Sequence, residues 1–293
     1  MMSNFTKGWK SCIPIIFITT LNILFSNTLL GKEIIQGDTA IVQTPDDSYY
    51  LSNKRERFPV FGIYKENYIV TGASTSEHRS FSKYTTDVRF QTSWALRISQ
   101  LKKVDLLATY TQQGIWLAYQ KSSPMKENVF NPSFVVYWYL NPKTDILFGI
   151  EHRSNGDIGV GSRSENLIYS SVIYSPVENW TFGTSAWLGY YQKVRGFQWF
   201  RYYGYCKAWA IYRTDDKRLS FSLLVNPSHL FRNYNIEFNS YYRLSDSGTF
   251  LPSIFIQYRQ GYGETMTEFY RYSSHIRIGF SLELKNGYNS VVR

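Results

Sequence analysis

From about Ile63 to Leu284 the chain repeats one theme: short segments rich in Tyr, Phe, Val, Ile and Trp, separated by clusters of Gly, Pro, Asn, Asp and Ser. That is the signature of strands joined by turns. About twelve such segments can be marked, near 63–71, 84–99, 103–120, 132–141, 144–152, 166–175, 178–191, 198–212, 216–225, 230–243, 249–262 and 270–284. Beyond the N-terminal leader no stretch reaches the ~18 to 20 uninterrupted apolar residues of a spanning helix. The chain either leaves the membrane or crosses it as strands.

The connections favour crossing. Short turns at Asn141-Pro142-Lys143, Pro176-Val177-Glu178, Asp215-Asp216 and Ser245-Asp246-Ser247-Gly248 alternate with longer loops at 71–83, 122–131, 156–165 and 191–197. That asymmetry, with an even strand number, is expected of a closed bacterial barrel. Aromatics make up 18% of the chain and charged residues also only 18%, below the roughly 25% charge of soluble domains. The sequence therefore predicts an all-β, transmembrane antiparallel β-barrel of about 12 strands. Around it are expected a signal peptide over 1–31, with Lys7 and Lys10 preceding an apolar Ile13 to Phe25 run, and a polar periplasmic arm over 32–60. A retained anchor helix is the alternative for the leader. The barrel is expected over 61–284 and a polar C-terminal tail over 285–293.

The net charge of +10 is scattered apart from Lys54-Arg55-Glu56-Arg57, and no nucleic-acid motif accompanies it, so nucleic acid is not an expected partner. Of two cysteines, Cys12 lies in the leader, which leaves Cys206 as a single thiol. The glycines of Gly156-Asp157-Ile158-Gly159-Val160-Gly161 lack the lysine and following helix of a phosphate loop. His78, His229 and His275 lack zinc-site spacing. No organic cofactor is implied.

Chemistry concentrates at Glu151-His152-Arg153-Ser154-Asn155-Gly156. On a strand, His152 and Ser154 emerge on one face together with Ile146, Phe148 and Ile150, whereas Asp145, Glu151 and Arg153 take the other. In a membrane barrel such an apolar stripe is the lipid-facing side. A serine nucleophile needs a base, and the base needs an orienting group, which a neutral amide such as Asn166 can supply. His-x-Ser on a strand is by itself as compatible with an incidental solvated pair.

These residues, with Ser162-Arg163-Ser164 and Tyr169, resemble the active-site segment of the outer membrane phospholipase A family. The resemblance extends in order through Lys65-Glu66-Asn67-Tyr68, Arg89-Phe90-Gln91-Thr92-Ser93, Tyr110-Thr111-Gln112, Ser122-Ser123-Pro124 and Gly261-Tyr262-Gly263-Glu264. It implies a multi-pass protein of the bacterial outer membrane whose site faces the outer leaflet. Ser154 would be the nucleophile, His152 the general base, Asn166 its orienting group, and the Gly156 amide an oxyanion donor. It further implies Ca²⁺ at a homodimer interface, held by the Asp157 carbonyl, the Ser162 carbonyl and hydroxyl, and the Ser122 carbonyl of a second protomer, with Gln112 in the dimer contact. Asp157 departs from the family's usual Arg. The implied activity is calcium-dependent hydrolysis of phospholipid acyl esters, of A1, A2 and lysophospholipase type. A non-enzymatic pore or adhesin is the competing reading, and a barrel acting on lipopolysaccharide acyl chains a third.

Overall fold

The computed structural model describes residues 57–75, 82–192, 199–228 and 231–284. The expected signal peptide, nearly all of the expected arm, the tail 285–293, and His78 and His229 lie outside these residues. Among the described residues no helix is long and apolar enough to cross a membrane.

The strands are β1 (Phe61–Gly62), β2 (Asn67–Ser74), β3 (Thr86–Gln100), β4 (Val104–Trp116), β5 (Met125–Asn141), β6 (Thr144–Ser154), β7 (Ser164–Val177), β8 (Trp180–Gln192), β9 (Cys206–Arg213), β10 (Leu219–Ser228), β11 (Asn233–Arg243), β12 (Phe250–Gly261) and β13 (Ser273–Leu284). From β2 to β13 each pairs antiparallel with its sequence neighbour, and β13 pairs with β2, closing a twelve-stranded barrel with no free edge. The two-residue β1 adds to β3 at Phe61↔Leu96, where β2 has ended. Most of the short turns lie at one end of the barrel and most of the longer connections at the other, the exception being β10–β11 (229–232), which is shorter than β11–β12 (244–249).

Two expectations change. The segment expected as a strand over 198–212 begins with helix α1 (Trp199–Tyr203), and β9 starts only at Cys206. Here the aromatic run packs across the barrel mouth, so tertiary burial overrides strand-like composition. The expected 122–131 loop is mostly strand, because β5 extends back to Met125.

Alternation along β5 is clear: Glu127, Val129, Asn131, Ser133, Val135 and Tyr137 point inward and are buried, while Phe134 and Val136 face out. At the turn end the interior is apolar, with Phe58, Leu107, Val135, Tyr137, Leu147, Ile173 and Ile211 packed together. At the loop end Trp199 and Phe200 of α1 pack with Met266 and Phe269 of the β12–β13 loop, over Val129, Leu167 and Trp187. Between the two lies a polar layer. Arg277 makes a two-pronged ion pair with Asp87 (2.7 and 2.8 Å) and reaches Glu264 at 3.0 Å. Glu127 accepts from the Met266 and Thr267 amides, which pins the β12–β13 loop across the mouth. A lumen packed in this way is a plug, unlike the open interior a pore needs.

Candidate active site

β6 and β7 carry the site. Their ladder sets His152 directly opposite Asn166 and Ser154 opposite Ser164. Both strands follow one parity: Asp145, Leu147 and Arg153 of β6 and Glu165, Leu167 and Ile173 of β7 are buried inside, with Glu151 half-buried on the same side, while Phe148, Ile150, His152 and Ile168 lie exposed on the outer wall. Ile146 shares the outward parity but is buried, flanked across the ladder by Trp138 and Val172.

His152 Nδ1 and Asn166 Oδ1 are 2.9 Å apart. With the ring N–H donated to the amide oxygen, Nε2 is left unprotonated and free to act as a base. Ser154 stands two residues along on the same face of β6. Among the described residues it makes no hydrogen bond to the ring, a separation that is common before substrate binds and tightens the site.

Sequence reasoning missed two residues that shape this rung. The β5–β6 ladder holds at Phe130↔Ser154 and Ser133↔Glu151 but skips the positions between, where Pro132 would oppose His152. Proline has no N–H to give the ladder. An open groove results on the outer wall, edged by Trp94, Tyr110, Phe134 and Ile150 and lined also by His152 and Asn166. The second is Asn155, which organises the β6–β7 loop. Its Oδ1 accepts from the amides of Asp157 (3.3 Å) and Arg163 (2.9 Å), and its Nδ2 donates to Gly161 O (2.9 Å) and Asp157 Oδ2 (3.0 Å). An Asn opening a glycine-rich loop is the available signal, since its side chain mimics a backbone turn.

That loop presents Gly156 with φ +71°, its N–H without an acceptor among the described residues. The same loop displays the oxygens of Asp157 and Ser162. Ser162 O accepts from Arg163 Nη1 at 2.9 Å, which leaves its second lone pair. Ser122 lies exposed at the tip of the β4–β5 loop with φ +64°. A donor set of carbonyls, a hydroxyl and a nearby carboxylate is hard oxygen throughout and fits Ca²⁺. Among the described residues no three His, Cys, Asp or Glu side chains cluster as a metal site, so any cation here would rest largely on backbone oxygens.

Gln112 faces the outer wall of β4, as its parity requires, and is not in the lumen. Its Nε2 donates to Asn128 Oδ1 at 3.0 Å. His275, expected to be structural or solvated, is held inside with Nδ1 3.2 Å from Glu264 Oε2.

The sequence model for phospholipase A1 matches residues 45–282. No curated protein matches the chain. Among solved structures, outer membrane phospholipase A from Escherichia coli is similar at TM-score 0.66 and 20% identity, covering 76% of this chain and 94% of that one. The Salmonella typhi outer membrane phospholipase dimer with bound calcium matches at TM-score 0.67 and 19% identity, over 80% of this chain and 97% of that one. An active-site mutant of the E. coli protein, an asparagine replaced by alanine, matches at TM-score 0.67 and 19% identity over 84% and 100%.

Proposed function

The chain belongs to the phospholipase A1 family, as an ester hydrolase in a multi-pass outer-membrane barrel, and from this premise we propose that Ser154, His152 and Asn166 form its catalytic triad on the lipid-facing wall. One observation carries the reading: the His152–Asn166 hydrogen bond lies on the exposed apolar face, with Ser154 beside it. A lipid ester can reach that face without leaving the bilayer. The asparagine altered in the E. coli active-site mutant supports an amide in the orienting role.

Ser154 Oγ attacks the acyl carbonyl carbon while His152 Nε2 takes its proton. Asn166 holds the ring so that Nε2 keeps facing the serine and so that the imidazolium is stabilised. The Gly156 N–H receives the oxyanion that develops on the carbonyl oxygen. Collapse expels the lysophospholipid oxygen, which takes the proton from His152. Water, activated by the same imidazole, then attacks the acyl-enzyme and releases the fatty acid. The groove edged by Trp94, Tyr110, Phe134 and Ile150 offers an apolar bed for an acyl chain.

The oxygens of Asp157 and Ser162, with Ser122 supplied by a second copy of the chain, would hold Ca²⁺, which would supply positive charge to stabilise the oxyanion. The calcium-bound dimer of the Salmonella protein supports this part of the reading. The site would face the outer leaflet, since it lies toward the end bearing the longer loops.

Ser154→Ala tests the proposal. Fatty-acid release from phospholipid in detergent micelles with calcium should fall by about 10³-fold or more, while the barrel keeps its heat-modifiable migration on gels. Parent-like turnover in that variant removes Ser154 as the nucleophile.

A further inference from the structure

Directly behind the proposed triad, on the inner wall, lies an ion pair that the reaction above does not use. Arg153 stands between His152 and Ser154 in β6, and Glu165 precedes Asn166 in β7. The two are cross-strand partners on the rung next to His152 and Asn166. Arg153 Nη1 is 2.9 Å from Glu165 Oε1, with both side chains buried. The guanidinium also lies 4.6 Å over the Tyr203 ring and 5.9 Å from that of Trp199, so α1 closes on it from the barrel mouth. On its other side Glu151 comes within 3.7 Å and is itself held by Lys65 at 3.2 Å.

The site needs such support because its own surroundings give little. The side chains of His152 and Asn166 project from the outer wall, where they pack against no protein core. Both ladders that flank the rung are irregular there. The β5–β6 ladder skips Asn131 and Pro132, and the β7–β8 register shifts between Asn166 and Leu167. What holds β6 and β7 in step at this height is therefore their mutual pairing and the charges beneath it. Neither Glu165 oxygen has a well-directed hydrogen bond, so Arg153 is its main partner, with the Trp199 indole also acting on the carboxylate.

We propose that the buried Arg153–Glu165 pair, clamped by Tyr203 and Trp199, is a positioning device that fixes the β6–β7 rung on which His152 meets Asn166. This inference rests on the triad reading. The two residues touch no substrate and act through the backbone they join.

A double-mutant cycle on the full chain, refolded in detergent and assayed on phospholipid micelles with calcium, separates this role from a general structural one. Glu165→Gln should lower kcat about tenfold with KM nearly unchanged, the size expected of a small misplacement of the base. In an Asn166→Ala background, where the contact it positions is already gone, the same change should cost less than about twofold. Asp87→Asn breaks a comparably buried pair with Arg277 on β3 and β13 and should leave kcat at the parent level. A parent-like kcat for Glu165→Gln, an undiminished loss in the Asn166→Ala background, or an equal loss from Asp87→Asn each overturns the proposal. If Glu165→Gln does not form a barrel, Arg153→Lys, which keeps a cation but loses the planar fork, enters the cycle in its place and is judged by the same results. Ser154→Ala keeps the two readings apart: activity retained there sinks the triad, whereas an inactive Ser154→Ala beside a normal Glu165→Gln sinks only the positioning role.

Discussion

At Gly156 one backbone conformation does two things. A φ of +71° takes the chain out of the strand just after an N–H that has no acceptor among the described residues, and a Cβ added there would come 2.9 Å from Phe130 Cε2. Phe130 is the cross-strand partner of Ser154, so any shift forced at residue 156 is transmitted to the position of the nucleophile. Gly156→Ala should therefore cost both strain and alignment. The strain is about 1–2 kcal/mol from the left-handed backbone alone. Alanine keeps the N–H, but moving that donor off the oxyanion lowers kcat toward the about 10²- to 10³-fold that losing a donor costs. Steady-state kinetics beside a thermal melt would resolve the two, with kcat strongly reduced and the melting midpoint moved only slightly. A Gly156→Ala protein with normal kcat would mean that turnover does not depend on the placement of this amide.

At the scale of strands and loops, legibility followed the interior. β6 could be oriented from sequence because its inward face at the site is charged, Glu151 and Arg153, against an apolar outward face of Phe148 and Ile150. β7 could not, since Leu167 and Ile173 point into apolar clusters inside while Ile168 and Tyr174 point out. Both parities are apolar wherever a barrel is plugged by its own core. Helix α1 was illegible for a related reason: its aromatics serve as a lid, a role no periodicity encodes over five residues. The motifs that carried the resemblance, by contrast, converge in space. Lys65 pairs with Glu151, Gln91 donates to Glu66 O, Glu66 accepts from Tyr241, and Arg89 approaches Glu264 at 3.8 Å. Glu264 lies in the β12–β13 loop that covers the mouth. Burial opposes its ionisation, but Arg277, the His275 ring 3.2 Å away and Arg259 outweigh it and hold the carboxyl well below its ordinary value. Since the folded value lies below the unfolded one near 4.3, the carboxylate's contribution is fully present above that pH and is lost as pH falls through the folded value. Glu264→Gln should destabilise the barrel at pH 7 by about 2 kcal/mol and should lack that part of the acid dependence. Thermal unfolding in detergent at pH 7 and pH 3 measures both, and equal acid sensitivity in the two proteins would show that Glu264 is not the group responsible.

For the whole molecule the question is what would hold two copies together. The outer wall is apolar, and in lipid such a surface gives no hydrophobic drive to associate, because the acyl chains already cover it. A buried amide could supply the attraction, but Gln112 is already bonded to Asn128 and approached by the Tyr110 hydroxyl at 3.4 Å, so its need for a partner across an interface is reduced. Polar side-chain contacts within membranes contribute about 1 kcal/mol at most sites, which is too little to make a dimer alone. On the proposed reading the remaining source would be a cation bridging loops of two copies, Ser122 from one with Asp157 and Ser162 from the other. Association should then depend on calcium far more than on Gln112. Chemical cross-linking in detergent should give predominantly dimer with Ca²⁺ and monomer with chelator, while Gln112→Ala shifts the calcium midpoint by no more than about tenfold. Lipid hydrolysis should follow the dimer in both cases. A dimer that persists unchanged in chelator, or one abolished by Gln112→Ala in saturating calcium, would reverse that order of importance and place the association energy in the membrane-embedded wall.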